Sequence, residues 1–589
     1  MDITLVLVIL VIAIILFATE WIRMDVVSMM ILLTLVLTGL VSSEEAFSGF
    51  SNPAVITVAA MFVISAAITN TGAMGRMSER LIRLAGGSES RLIGAIMTSV
   101  AAFSSVINNI GSTAVLMPVV SSICRKLKIS PSHLLIPLAY GSLLGGICTL
   151  IGTPPNILMN SLLQQYAGQS FDMFDFTPIG VPIVVGGILY MVLVGRHLLP
   201  TRRSEILTEA YQVKEYITEV EILEKSSLAN QTIAASGLEQ QFNLKVRAIM
   251  REGRKRPQPR RNSKLKEGDI LFLEGNPEAI LKVRQAKGLS MVPERDNPAP
   301  DGIDQEMVVV EASLAPTSDL AGKTLAEVHF RETHGLNVLA IWRRGAPVVK
   351  KVEHVSLMFG DVLLLQGPEE KVFHLGKEHG FLLLGGVPPV SYRPHKAPIA
   401  LTILAATILL IGSGVLPIMP GATLGALGMV LSRCLTIQEA YDSIDWRIIV
   451  LIAGTLPLGL AMQNSGAAEI LARLLLNLIG PWGPWAVLAG IILLTSLLTE
   501  VMSHAAAAVL IAPIAFNTAV ELGVDPKPFF MAVAIAASSC FMTPISHQSN
   551  ALVMGPGGYR FFDYTRVGAP LNLLVWILAT LLIPLIFPF

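Results

Sequence analysis

Ten stretches of this chain are apolar enough to cross a bilayer, most of them at the required length of about 18–20 residues. They lie near 2–19, 25–42, 54–72, 131–150 and 178–198, and again near 397–415, 419–433, 448–465, 527–545 and 567–587. In hydrocarbon every backbone N–H and C=O must find a partner within the protein, so such runs fold as helices. Two further apolar segments, near 92–123 and 486–518, are interrupted by polar residues. The 589-residue sequence is 52% hydrophobic and only 15% charged, which points to a membrane protein. A net charge of zero gives no reason to expect a nucleic-acid partner. The first run lacks a basic leader and a small-residue cleavage site, so a retained span is expected there. Cys124, Cys148, Cys434 and Cys540 are widely spaced without a CxxC pair, so packing is expected of them rather than metal binding or a disulfide framework.

The two membrane blocks repeat one another. EEAFSGF (Glu44–Phe50) matches QEAYDSI (Gln438–Ile444), and TNTGAMG (Thr69–Gly75) matches QNSGAAE (Gln463–Glu469). Pro118, Pro131, Thr149 and Asn156 match Pro513, Pro526, Thr543 and Asn550, always 394 or 395 positions on. Lysine and arginine in short loops set orientation. The loops at 43–53 and 160–177 have none and are expected outside. Arg76, Arg80, Arg83, Arg91, Arg125, Lys126 and Lys128 flank the first interrupted segment, which predicts a cytoplasmic side. Only Arg473 and Lys527 flank the second, which predicts an external side. With five spans per block, the repeats would be inverted and each interrupted segment would dip in from its own side as a re-entrant hairpin. Inverted repeats with broken helices mark secondary transporters.

Between the blocks, roughly 204–390 is charged and alternating in pattern. It also repeats: SLANQTIAAS…EGDILFLEG aligns with DLAGKTLAEV…FGDVLLLQG, and Leu228–Gly268 has the spacing of Leu320–Gly360. Strand-like runs ending in turn residues predict two small α/β domains, 204–296 and 297–390. By the same charge rule they are expected in the cytoplasm. The expected layout is therefore a transmembrane repeat over 1–203, these two domains, and a second transmembrane repeat over 391–589.

Polar groups gather at two elements in each repeat. The first has the tip Ser104-Ser105-Val106-Ile107-Asn108-Asn109 and then GGICTLIGTPPN, Gly145 to Asn156. The second has Thr499-Glu500-Val501-Met502-Ser503-His504 and then CFMTPISHQSN, Cys540 to Asn550. Pro154 and Pro155 cannot donate backbone hydrogen bonds, so the helix must break and restart there. A restarting helix offers free N–H groups and a positive dipole end to an anion. Hydroxyl, amide and unwound carbonyl oxygens suit Na+. A cation site at each tip and an anion site between them are expected. The plainer alternative is that these residues only pack and kink helices. Glu500, a carboxylate at membrane depth, would either balance a cation or sit at the wet end of the hairpin. REGRKRPQPRR (Arg251–Arg261) reads as a solvated loop, with an anionic lipid head group or a nucleotide messenger as the sharper alternative.

These motifs resemble the divalent anion/sodium symporter family of the ion-transporter superfamily, across both membrane blocks. GGICTLIGTPPNILMN carries the likeness, with SVINNIGSTAVLMP and TEVMSHAAAAVLIAP standing where the family has its two Ser-Asn-Thr tips. The middle domains resemble TrkA-C (RCK-C) regulatory domains. The resemblance implies sodium-driven uptake of a divalent anion by a homodimer with a moving, elevator-type transport domain, in the inner (plasma) membrane. It places Ser105, Asn108, Asn109, Thr149 and Gly152 at the first cation and Thr499, Ser503, Thr543 and Asn550 at the second. Asn109, Thr153, Pro154, Ser503, His504, Ser546 and His547 would face the anion.

Ile110 and Ala505 replace the family threonines, His504 replaces the second tip asparagine, and SHQSN (Ser546–Asn550) replaces the second Thr-Pro-Pro-Asn. Those changes disfavour a dicarboxylate and favour a small tetrahedral anion, sulfate above all, or a small sulfonate, held by imidazole N–H donors. A dicarboxylate symporter, an ion exchanger or efflux permease, and a transporter-like anion sensor are the rivals. The TrkA-C-like domains could take a nucleotide or another small ligand. No enzymatic chemistry is expected.

Overall fold

The computed structural model describes residues 2–19, 21–73, 88–127, 129–201, 216–223, 226–242, 244–251, 254–257, 259–275, 283, 289–291, 307–314, 318, 320–343, 346–348, 352–358, 361–377, 380–385 and 393–589. Arg76, Arg80, Arg83 and Lys128, the expected boundary at 296–297, and part of the 251–261 basic run lie outside them. The chain divides into two compact units, residues 1–202 with 392–589, and residues 203–391.

The first unit is helical. Among the described residues seven helices are long and apolar enough to cross a membrane: Asp2–Thr19, Ser43–Asn70, Thr177–Leu198, Pro394–Gly412, Trp446–Asn464, His504–Leu522 and Phe561–Ile586. Shorter apolar helices include Met24–Leu37, Ile418–Leu431, Pro484–Thr499 and Lys527–Ser538. This is the multi-span α-helical membrane protein expected from the sequence, with one difference in the second interrupted segment. The runs at 131–150 and 527–545 are broken helices, as the motifs at 145–156 and 540–550 predict. They stop at Gly146 and Ser538 and restart at Pro154 and Gln548. His504–Leu522, read as one limb of a hairpin, is by itself 19 residues and long enough to span.

Small residues let helices from the two halves of the sequence touch. The Ser28 hydroxyl donates to the Val450 carbonyl at 3.2 Å. A side chain at Gly454 would strike Ser28, and one at Gly49 would strike the Ala453 carbonyl. All four cysteines are buried and free.

Among the described residues the second unit holds two five-stranded antiparallel sheets. In the first, β1 (Tyr216–Ile222), β2 (Lys245–Arg251), β3 (Arg254–Pro257), β4 (Ile270–Gly275) and β5 (Leu289–Met291) run in the order β3-β2-β4-β1-β5. In the second, β6 (Met307–Leu314), β7 (Asn337–Arg343), β8 (Ala346–Pro347), β9 (Val362–Pro368) and β10 (Phe381–Gly385) run β8-β7-β9-β6-β10. The topology is the same strand for strand. The irregularity between Val246 and Ala248 recurs between Val338 and Ala340.

One buried ion pair is also repeated. The Arg251 guanidinium holds the Asp269 carboxylate at 2.6 Å and donates to the Lys264 carbonyl. Arg343 holds Asp361 at 2.7 Å and donates to the Ser356 carbonyl. The hydrogen bond to Asp361 raises the Arg343 pKa above its ordinary value. Leu339, Ala340 and Leu364 of the second sheet join the core formed by Val220, Leu271 and Leu273 of the first.

Candidate functional site

Each interrupted segment folds as two helices joined at a short turn. Glu89–Ser104 is followed by Asn109–Leu127, and Pro484–Thr499 by His504–Leu522. Every bound of the second pair lies 395 positions beyond its counterpart. Downstream, Leu135–Gly146 breaks over 147–153 before Pro154–Ala167, and Lys527–Ser538 breaks over 539–547 before Gln548–Gly557. The first break follows from Pro154 and Pro155: Thr153 is held extended (φ −138°, ψ 149°), as a residue before proline prefers. The second has no proline at the restart. There His547 takes the extended N-cap conformation, and its Nδ1 accepts the Ser549 N–H at 3.0 Å.

The tips are tied to the breaks by the same contacts in both halves. The Thr149 hydroxyl donates to the Ser105 carbonyl, and the Thr543 hydroxyl donates to the Glu500 carbonyl at 3.0 Å. The Asn156 amide donates to the Gly146 and Thr149 carbonyls at 3.3 and 2.8 Å. That of Asn550 donates to the Cys540 and Thr543 carbonyls at 2.9 and 3.1 Å. A threonine on the next helix holds each break from behind, Thr177 on the Cys148 carbonyl and Thr565 on the Met542 carbonyl, both at 2.9 Å. The amide oxygens Asn156 Oδ1 and Asn550 Oδ1 are buried and accept nothing. Buried acceptors rarely stay unpaired, so these two mark places where a donor or cation belongs.

Asn109, at the start of its helix, accepts the Ser104 hydroxyl at 2.7 Å. It also abuts the first break: a methyl group on Gly146 would sit 2.5 Å from both Asn109 Oδ1 and Thr153 Cγ2. One on Gly152 would strike the Gly146 carbonyl. Asn108 Oδ1 accepts the Ile110 N–H at 3.0 Å. The hydroxyls of Ser105 and Thr499 turn back onto carbonyls of their own helices, Ala102 and Ser496. Ser503 caps His504–Leu522 without a side-chain hydrogen bond. Pro154 is the first helical residue of its segment and leaves one fewer N–H to satisfy.

The halves meet between the breaks. The Thr153 and Ser538 hydroxyls lie 3.0 Å apart. The rings of His504 and His547 have centroids 5.1 Å apart and planes inclined by 31°. Because His547 Nδ1 accepts a backbone N–H, its proton sits on Nε2. Ser546 bonds the Cys540 and Thr543 carbonyls, which stiffens the second break.

Some participants were not singled out from the sequence. Asn156 is legible in the sequence as the repeat match of Asn550. Thr177 begins the helix Thr177–Tyr190 and Thr565 lies near the start of Phe561–Ile586, a parallel hidden by an offset that shrinks to 388 positions. Ser538 and Asn572 carry no local motif. Asn572 lies on Phe561–Ile586 and donates to the Glu500 carboxylate at 2.8 Å.

A family model described as a citrate transporter, CitMHS, matches residues 14–536. An uncharacterised transporter of Synechocystis is 38% identical over all of this chain and 97% of its own length. A putative sulfur deprivation response regulator of Chlamydomonas reinhardtii is 31% identical over 91% of this chain and 94% of its own. Sodium/sulfate cotransporter 2 of the same alga is 22% identical over 96% of this chain and 88% of its own. The chain is a multi-pass membrane protein of a transport family and not an enzyme. It belongs to the CitMHS citrate-transporter family, of the divalent anion/sodium symporter type.

Proposed function

We propose that the protein is a sodium-coupled secondary transporter that imports sulfate by alternating access of elevator type. The single observation that carries this reading is the doubled construction of the site: two tips, each clasped to a broken helix by the same threonine and asparagine contacts, each leaving a buried amide oxygen without a partner. Uncharged oxygens of this kind are ligands for Na+. Four helix N-termini, at Asn109, Pro154, His504 and Gln548, supply N–H groups and dipole ends, and the two imidazoles add donors. In this reading Thr153, Ser546 and the two histidines would face the anion, and a few neutral imidazole and hydroxyl groups suit a tetrahedral dianion better than a longer dicarboxylate. A relative named a sodium/sulfate cotransporter supports sulfate and sodium. The halves would be inverted in the membrane, the protomers would pair as a homodimer in the inner (plasma) membrane, and 204–390 would lie in the cytoplasm as regulatory domains.

Uptake of labelled sulfate into proteoliposomes, with and without an inward Na+ gradient, tests this. Uptake driven by the gradient and suppressed by thiosulfate more than by succinate is expected. Flux indifferent to sodium would overturn symport. A second reading has one observation in its favour, the relative named a sulfur deprivation response regulator. A sensor would bind sulfate and show no turnover in the same vesicles.

A further inference from the structure

The helices Pro154–Ala167 and His504–Leu522 begin at the candidate site and reach, near their other ends, a cavity of about 360 Å³. At a rise of about 1.5 Å per residue, Tyr166 and Asn517 in its wall lie roughly 18–20 Å along these helices from Pro154 and His504. The volume is that of a small-molecule site. Trp446–Asn464 and the first turn of Ala467–Ile479 complete the wall. Gly466 joins those two helices with φ +78°, a conformation a side chain would strain, and the turn puts Glu469 in the wall.

The lining is unlike that of the anion site. The rings of Tyr166 and Phe516 form adjoining walls, with centroids 5.5 Å apart and planes inclined by 51°. Buried Phe530 backs the Tyr166 ring at 6.3 Å. The Tyr166 hydroxyl is buried near Gly459 and has no hydrogen-bond partner. The Asn517 amide donates to the Pro513 carbonyl at 2.8 Å and leaves its own oxygen open. The rim is negative. Arg473 pairs with both Glu469 and Glu521, so two carboxylates share one guanidinium and one net negative charge remains. Among the described residues no lysine or arginine lines the cavity, so an anion is disfavoured there. Among the same residues no group of acidic, histidine or cysteine side chains could hold a metal ion. Two ring faces beside an incompletely neutralised carboxylate suit an organic cation, whose N-methyl groups pack on the rings while its charge meets their negative faces.

We infer that this cavity binds a small organic cation of the methylated-ammonium class, recognised by Tyr166, Phe516 and Glu469. Such a ligand sits between the two helices that lead to the anion site and Trp446–Asn464, the helix that Ser28 holds through the Val450 carbonyl. Alternating access, the reading on which this consequence rests, needs the site-bearing helices to move against a neighbour. A ligand wedged there slows the movement without competing with sulfate.

The test uses purified full-length protein and radioactive choline, measured by equilibrium binding in detergent. Wild type is expected to bind choline saturably, with displacement by tetramethylammonium and not by equimolar K+. Tyr166→Leu, Phe516→Leu and Glu469→Gln are each expected to raise the choline concentration for half-maximal binding roughly tenfold, the size of a desolvated cation–π or charge contact. Tyr166→Phe keeps the ring and is expected to stay within about twofold. Glu469→Gln alters only a half-exposed side chain and reports even where a ring variant fails to fold. In proteoliposomes, saturating choline is expected to lower the maximal rate of sulfate uptake and to leave the sulfate concentration for half-maximal uptake unchanged. Inhibition in phosphatidylcholine bilayers without added choline, and not in phosphatidylglycerol, would support the same chemistry with a lipid head group as its source. Inhibition by added choline in both lipids would support a free cation. Absence of saturable choline binding, equal displacement by K+, or affinity unchanged in both Phe516→Leu and Glu469→Gln would overturn the assignment. If the wild-type protein takes up no sulfate, the transport reading fails, while choline binding still decides this site.

Discussion

His547 has two tasks at one atom spacing: Nδ1 caps Gln548–Gly557 and Nε2 is left with its proton beside His504. His547→Asn can keep the cap but not the second donor. It is expected to keep thermal stability within about 1 kcal/mol of wild type and to weaken sulfate binding roughly tenfold, the loss of one donor to a charged acceptor. Displacement of labelled sulfate measures the second and a melting curve the first. Gly146 is the opposite case, a residue whose importance is the absence of a side chain. Gly146→Ala would push a methyl group into Asn109 and Thr153, and about 1–3 kcal/mol of destabilisation is expected. Uptake should fall far more than the amount of folded protein. The chemistry of this region was legible because proline, glycine and amide residues stand out in apolar sequence. Asn572 was not: one asparagine in a 26-residue apolar helix looks the same whether it packs, caps or binds.

At the scale of elements, the sequence carried the repeats more clearly than their contents. The spacing of Leu228–Gly268 and Leu320–Gly360 foretold two similar units, and the sheets share one strand order. That order itself was not legible, because alternation of apolar and polar residues tells which face a strand buries and not which strand it pairs with. In the membrane blocks, apolar runs located the helices, and the breaks after Gly146 and Ser538 were legible from proline, glycine and amide residues rather than from hydropathy, which does not change there. The ion pairs at Arg251–Asp269 and Arg343–Asp361 anchor equivalent corners of the two sheets. Removing one member leaves the other charged and part-buried, so Asp361→Ala is expected to cost about 3 kcal/mol. Limited proteolysis of the full-length protein should then cut sooner within 320–385 than within 216–291. Equal rates in both segments would show that the sheets open together.

Orientation is the property of the whole molecule on which the proposed mechanism depends, and it rests on where a few lysines and arginines fall. Arg473, one of the two cations flanking the second tip, is engaged by Glu469 and Glu521 and so contributes little net charge on its side. The external assignment of that side therefore follows from the scarcity of cations there and from the parity of the spans. The four native cysteines are buried, so the wild-type protein offers a low background for thiol labelling. Ser170, in the cation-free loop at 160–177, and Glu267, in the first sheet domain, are both exposed. In intact cells an impermeant maleimide is expected to label Ser170→Cys at once and Glu267→Cys only after the membrane is opened. Labelling of both from outside would put the sheet domains on the same side as the first block's external loops, and the number of crossings between them would have to be even. Two blocks separated by an even number of crossings enter the membrane in the same sense. Their tips would then approach from one face, and the paired half-helix ends could no longer alternate access around a shared anion.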